Sequence, residues 1–322
     1  MFKLVSSIFK PTPAPIVPVT RELLQKRHHL CSNLGHIYKT QLDLLNNTLP
    51  NELLNEIPIL KYYTEFSSQY LDQLKELNNT DFNNIEYTEE KFQSLITKQL
   101  DSKVLELEVL NSKIQPDDLK SLDDNYSNDI DSFFFHFHSN RIAASFELKE
   151  YLYEKPLLQV YNAKSVLDQA IKTTSRMLSL NDYPIPKFKP IETIDSNLKV
   201  YCISPHAVHI MFELFKNATL PSITKNQPIM INISIDKNDS NSIIFEIKDN
   251  GGGMPESMIE KIWQFHYTTT KANDRDPIHG FGMGLPLCKV FAEFNDGSLD
   301  LVNKPGEGVT IYFKVPKGIE KV

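Results

Sequence analysis

The hydrophobic period of this chain changes at one place, Asn181-Asp182-Tyr183-Pro184-Ile185-Pro186-Lys187-Phe188-Lys189-Pro190, and the change limits what each side can become. From about Thr20 to Leu180 apolar residues recur at steps of three and four, the spacing of one helix face. The clearest run is Val160, Ala163, Val166, Leu167, Ala170, Ile171, Thr174, Met177 and Leu178. Similar runs cover Leu23–Leu45, Ile59–Leu77 and Phe92–Leu110, parted by Asn- and Asp-rich turns at Asn78–Asn84 and Asp117–Asp129. Several long helices with polar breaks pack as an antiparallel bundle. The prolines block helix growth. Beyond them Ile231, Ile233 and Ile235 alternate with Asn232, Ser234 and Asp236, the period of a strand. Ile243–Lys248 and Val309–Val315 are further strands, with helices predicted at 205–219, 256–265 and 285–294. The mixture predicts an α+β fold with a largely antiparallel sheet and a domain boundary at 181–190.

With 322 residues the chain can fill two cores. Its 41% hydrophobic and 23% charged residues are those of a soluble globular protein, and a net charge of −7 argues against a nucleic-acid partner. No apolar run reaches the length of a membrane span. Cys31, Cys202 and Cys288 are far apart and form no CxxC pair, so they read as reduced structural thiols. Residues 1–20 carry Lys3 and Lys10, several Ser and Thr, and no acid before Glu22. That composition suits a mitochondrial presequence, and equally an unstructured terminus. A proline-rich spacer runs from Pro11 to Pro18.

Three segments beyond the boundary carry chemistry. In the helix opened by Ser204 and Pro205, His206, His209, Glu213, Lys216 and Asn217 share a stripe, while Val208, Met211, Phe212, Leu214 and Phe215 fill the rest. A helix so apolar elsewhere is expected to be buried, with its ionisable stripe lining a cavity. The stripe also suits an exposed face with a Glu–Lys pair; the glycine loops downstream favour the cavity. His209, one turn before Glu213, is placed to tune that carboxylate as a general base. Asn217 offers an amide oxygen to Mg²⁺ and Lys216 a charge to phosphate.

In Asp249-Asn250-Gly251-Gly252-Gly253, Asp249 can accept the amino group of adenine while Gly251 and Gly253 let the chain pass the base. His266 to Lys271, with Thr268 and Thr269, continues into a polar stretch suited to a lid. Gly280-Phe281-Gly282-Met283-Gly284-Leu285 then leads into a helix whose N-terminal amides favour phosphate. Together the segments read as one ATP site. His28-His29 and the His136, His138 pair do not share a helix face and are poor metal ligands.

These motifs resemble the GHKL superfamily of gyrase-type ATPases, heat-shock chaperones, mismatch-repair ATPases, histidine kinases and mitochondrial protein kinases. His209-Ile210-Met211-Phe212-Glu213-Leu214-Phe215-Lys216-Asn217-Ala218 looks like the mitochondrial 2-oxoacid dehydrogenase kinases, the pyruvate and branched-chain types, and Asn140-Arg141-Ile142 resembles their Ser-Arg-Ile segment. The resemblance implies a four-helix bundle over 21–180 that docks on the lipoyl domain of an acyltransferase core. It implies a Bergerat-type ATP-binding α/β sandwich over 190–318. The activity implied is MgATP-dependent serine phosphorylation that inactivates the dehydrogenase subunit, in the mitochondrial matrix, by a protein that can be a homodimer. Glu213 would be the base and His209 its tuner, with Asn217 on Mg²⁺ and Asp249 on adenine. Lys216, Thr268, Thr269, Gly282 and Gly284 would face the phosphates, and Gly280, Phe281, Met283 and Leu285 would belong to the same nucleotide-binding segment. Thr219-Leu220 replaces the family's Met-Arg, and Val309 stands where relatives have Thr. A histidine kinase would need an acceptor His followed by an acid, which this sequence lacks. An ATPase in which Glu213 activates water also suits these motifs, as does a module that binds nucleotide without catalysis.

Overall fold

The computed structural model describes residues 20–81, 88–114, 118, 122, 128–153, 155–192, 194–269 and 282–319. The presequence expectation, apart from Thr20, lies outside them, as do Gly280, Phe281 and Lys271. The chain divides into two compact units, Met1–Pro156 and Leu157–Val322.

The first unit is helical among its described residues: α1 (Arg21–Asn47), α2 (Asn51–Glu56), α3 (Pro58–Thr64), α4 (Phe66–Asn79), α5 (Glu89–Lys113) and α6 (Asn128–Tyr153). Thr20 and Thr88 cap α1 and α5, each side chain accepting a backbone N–H three residues on, with acids following in the first turn. The helical run over Ile59–Leu77 is two helices, interrupted at Glu65. α1 packs on α4 and α6, and α5 on α6. Tyr38, Tyr63, Tyr70, Phe133, Phe134 and Phe137 fill the interior. Burial there depresses the Lys103 ammonium, and Glu106, 3.1 Å away, partly offsets this. Gln73 at 2.7 Å and the Tyr70 and Tyr38 rings at 4.0 and 4.7 Å also lie around it. His138 sits 3.2 Å from the Tyr63 hydroxyl and serves this core.

The second unit contains β1 (Leu158–Asn162), α7 (Ala163–Leu180), β2 (Phe188–Pro190), β3 (Lys199–Ile203), α8 (Ser204–Lys225), β4 (Ile229–Ile235), β5 (Ser242–Lys248), α9 (Gly284–Glu293), β6 (Ser298–Lys304) and β7 (Gly308–Pro316). The five-stranded sheet runs β2-β4-β5-β7-β6, antiparallel except for the parallel β2–β4 pair. β1 pairs with β3 in a separate two-stranded ribbon. The boundary therefore lies at 156/157 and not at the prolines. The stripe Ala163, Val166, Leu167 and Ala170 of α7 shares one core with α8 and the sheet, so this helix belongs to the second unit. Val160 lies on β1, not on the helix, because the Asn162 side chain accepts from Ser165 N–H and starts α7 there.

Two other expectations are corrected. Residues 256–265 form two short 3₁₀ turns, Glu256–Met258 and Lys261–Trp263, not one helix. The alternation of β4 holds through Ile233 but reverses at its end, where Ile235 is exposed and Asp236 buried. Asp236 turns inward because it takes the Lys314 ammonium at 2.9 Å and the Asn238 N–H.

Candidate nucleotide-binding site

The site grows from α8. Ile203, at its N-cap, gives its N–H to Asn295 Oδ1 at 2.6 Å. Ser204 is already helical and makes no cap bond, contrary to the expected Ser cap; Pro205 is accommodated in the first turn, where its missing N–H costs nothing. The helix is buried along most of its length and runs to Lys225. Glu213, Lys216 and Asn217 reach a cavity of about 400 Å³ that is also lined by Asp249, Gly251 and Gly253.

Glu213 and Lys216 form an ion pair, each side chain 7% exposed. Burial pushes the Glu213 carboxyl upward, but the Lys216 ammonium and then His209 outweigh it, and the group is held below its ordinary value. Its Oε2 lies against the start of α9: a Cβ on Gly284 would sit 2.5 Å from it. The carboxylate thus stands ionised at a helix N-terminus, where backbone amides attract anions.

His206 and His209, unlike the rest of the predicted stripe, are not cavity-lining residues. Their rings pack against Phe291 of α9, at 4.5 and 5.0 Å between centroids. The first turns of α8 are covered by that aromatic side chain, so His209 does not reach the cavity.

Across the cavity, Asp249 follows β5. Its Oδ1 accepts the N–H groups of Gly251 at 2.8 Å and Val309 at 3.4 Å, which leaves Oδ2 for a ligand. Burial raises its pKa despite these bonds. Gly251 rests on Pro221 of α8, where a Cβ would meet the proline ring at 2.3 Å. Pro221 also has no N–H to give the Asn217 carbonyl one turn earlier. Gly253 has a φ of 73°, the left-handed region that glycine tolerates.

Thr268, Thr269, Gly282, Gly284 and Leu285 line the same cavity; Met283 is buried outside its lining. Gly282 is needed where the chain returns, since a Cβ there would be 2.3 Å from Tyr267 O. Gly280 and Phe281 lie outside the described residues.

The apolar floor, Met254, Ile247, Leu301 and Ile311, carries no motif in the sequence. Neither does Asn303 of β6, whose side-chain amide bonds both the N–H and C=O of Met254. Its signal is a polar residue continuing the inward parity of Leu299 and Leu301. Leu220, 44% exposed, also lines the cavity.

No cluster of three His, Cys, Asp or Glu able to hold a metal occurs among the described residues. A side-chain amide oxygen at the cavity suits an ion such as Mg²⁺, which keeps waters and phosphate oxygens and takes few protein ligands. Asn217 is the amide oxygen available for it.

An α+β unit in which one buried helix presents Glu, Lys and Asn, facing a strand-end Asp and glycine turns, defines an ATPase-type nucleotide domain. Residues 203–319 match the family described as histidine kinase-, DNA gyrase B-, and HSP90-like ATPase. Within it, the chain is similar to pyruvate dehydrogenase (acetyl-transferring) kinase isozyme 4, mitochondrial, of Homo sapiens, 32% identical over 143 residues. That match covers 40% of this chain and 34% of the human one. The probable mitochondrial pyruvate dehydrogenase kinase of Caenorhabditis elegans is 30% identical over 163 residues, 48% of this chain and 39% of that one. Isozyme 1 of Rattus norvegicus is 28% identical over 130 residues, 36% and 29% of the two chains. The matched stretches thus span about a third of these relatives' length, and they support the mitochondrial 2-oxoacid dehydrogenase kinase family recognised from the sequence.

Proposed function

We propose that this protein is a MgATP-dependent protein serine kinase that phosphorylates and inactivates the dehydrogenase subunit of a mitochondrial 2-oxoacid dehydrogenase complex. The observation that carries the reading is the joint exposure of Glu213, Lys216, Asn217 and Asp249 to one cavity, in a domain whose named relatives are kinases. Asp249 Oδ2 accepts the adenine amino group, and the glycines on either side let the base lie against the Met254 floor. Asn217 would hold Mg²⁺, which supplies charge neutralisation at the phosphates. Lys216 leaves Glu213 for phosphate oxygen when nucleotide arrives. The freed carboxylate accepts the proton of the attacking serine hydroxyl. His209 adds to the Lys216 charge in lowering the Glu213 pKa.

The same reading makes the first unit a four-helix bundle that docks on the lipoyl domain of the acyltransferase core, in a homodimer of the mitochondrial matrix. The test is labelling by γ-labelled ATP of purified pyruvate and branched-chain dehydrogenase complexes, with phosphopeptide mapping. Label on a dehydrogenase serine in one complex is expected; label on neither rejects the substrate assignment.

A second reading has one observation in its favour. An exposed Leu220 at the cavity, where the family's sequence has Arg, leaves Lys216 as the cation among its described lining residues. A nucleotide-binding module with weak transfer would follow, and Leu220→Arg would then raise ATP affinity severalfold without creating transfer.

A further inference from the structure

The geometry points to Asn303 as a positioning residue for adenine recognition, an assignment that rests on the nucleotide reading above. Asn303 lies on β6 and is not among the cavity-lining residues, yet it grips the loop that is. Its Oδ1 accepts the Met254 N–H at 2.9 Å and its Nδ2 donates to the Met254 carbonyl at 2.8 Å. One planar amide thus bonds Met254 as a neighbouring strand's backbone would. An aspartate in its place keeps the acceptor and loses the donor; an apolar residue loses both.

The rest of the loop is tied by backbone bonds and by the Asp249 carboxylate, which accepts the Gly251 and Val309 N–H groups. Gly252 N–H bonds Glu307 O at 3.1 Å, Gly306 N–H bonds Gly252 O at 2.8 Å, and Asp249 N–H bonds Val309 O at 3.0 Å. Among the described residues, the hydrogen bonds given to the loop by a side chain of the β6–β7 hairpin are those of Asn303. Gly253 completes the arrangement: a Cβ there would lie 2.8 Å from Asn303 Oδ1, so glycine at this position is what admits the amide. Gly253 and Met254 line the cavity directly after Asp249, the acceptor for the adenine amino group. Asn303 therefore sets the height of the floor and the bearing of Asp249 without touching nucleotide.

This role has a signature. The loop meets the base and not the phosphates, so loosening it weakens ATP, ADP and adenosine by one common factor. It also narrows the preference for ATP over GTP, which depends on the aim of Asp249. A structural role alone would lower the melting temperature and the fraction of competent molecules, leaving the dissociation constant of those that remain unchanged.

The experiment is calorimetric titration of the full chain with ATP, ADP, adenosine and GTP, for wild type, Asn303→Ala and Asn303→Asp, with melting in the same buffer. Asn303→Ala is expected to weaken the three adenine ligands about tenfold alike, from the loss of two amide bonds. Asn303→Asp, which retains the bond to Met254 N–H but sets a carboxylate oxygen against the Met254 carbonyl, should weaken them at least as much. Should Asn303→Ala prove too unstable to titrate, Asn303→Asp carries the test by itself. Binding by the variants within twofold of wild type overturns the inference alone, as does a loss confined to ATP. Wild-type protein that binds none of the ligands overturns the nucleotide reading and this inference with it.

Discussion

Gly284→Ala places one methyl group against the proposed base. Gly284 is the first residue of α9, so alanine brings no backbone strain there and a small gain in helix propensity, under about 1 kcal/mol. The new Cβ would stand 2.5 Å from Glu213 Oε2, against 3.4 Å for ordinary contact, so the carboxylate must retreat by about 0.9 Å. It moves because the end of a side chain yields more readily than the start of a helix. A displacement of that size at a catalytic group costs on the order of 100-fold in rate, or about 2.7 kcal/mol at 1.36 kcal/mol per tenfold. Asp249 and the glycine loop lie across the cavity and keep their places. Phosphoryl transfer at saturating MgATP should therefore fall about 100-fold, while the melting temperature stays close to wild type. Transfer within threefold of wild type would refute the placement of Glu213 at the reacting phosphate.

Asp249→Asn keeps an oxygen for the Gly251 and Val309 N–H groups but turns an amide N–H toward adenine, a donor facing a donor. ATP affinity should drop by roughly 10- to 100-fold, the penalty for a buried unpaired group, with little change in folding; calorimetry decides. Acid sensitivity follows from opposite shifts. The folded value of Glu213 lies below its unfolded one, so its contribution is full above the ordinary 4.5 and is lost as pH falls through the lowered value. Asp249, raised by burial, destabilises when ionised and relieves that cost on acidification. Melting followed down the acid limb should be shallower for Glu213→Gln than for wild type, and steeper for Asp249→Asn. In the helical unit, Glu106→Gln leaves the Lys103 ammonium buried beside Gln73 without its carboxylate. Urea unfolding should report a loss of about 3 kcal/mol; a loss below about 1 kcal/mol would mean that the pair contributes little.

The helix that carries Glu213, Lys216 and Asn217 and both glycine turns are legible in the sequence because their spacing is local. Glu213, Lys216 and Asn217 sit within four residues of one helix, and glycines at 251, 253, 282 and 284 mark their own close approaches. What the sequence hides is made by residues remote from one another along the chain. Asn303 meets Met254 across 49 positions, and Pro221 meets Gly251 where two elements happen to cross. The prolines at 184, 186 and 190 misplace the domain boundary because they stop a helix without saying which core that helix faces. α7 shares its core with α8, and the periodicity of Ala163 to Leu178 is the same in either unit. The histidines mislead for a related reason. His206 and His209 share a stripe with Glu213, but Phe291, far along the chain on α9, covers their end of it.

Glu213→Gln measures most directly whether Glu213 works on bound nucleotide. The substitution preserves shape and removes the charge that accepts a proton. ATP should bind with nearly wild-type affinity while serine phosphorylation falls by roughly 10²- to 10⁴-fold, the usual worth of a general base. Undiminished phosphorylation by the variant, or loss of ATP binding in step with it, would contradict the assignment.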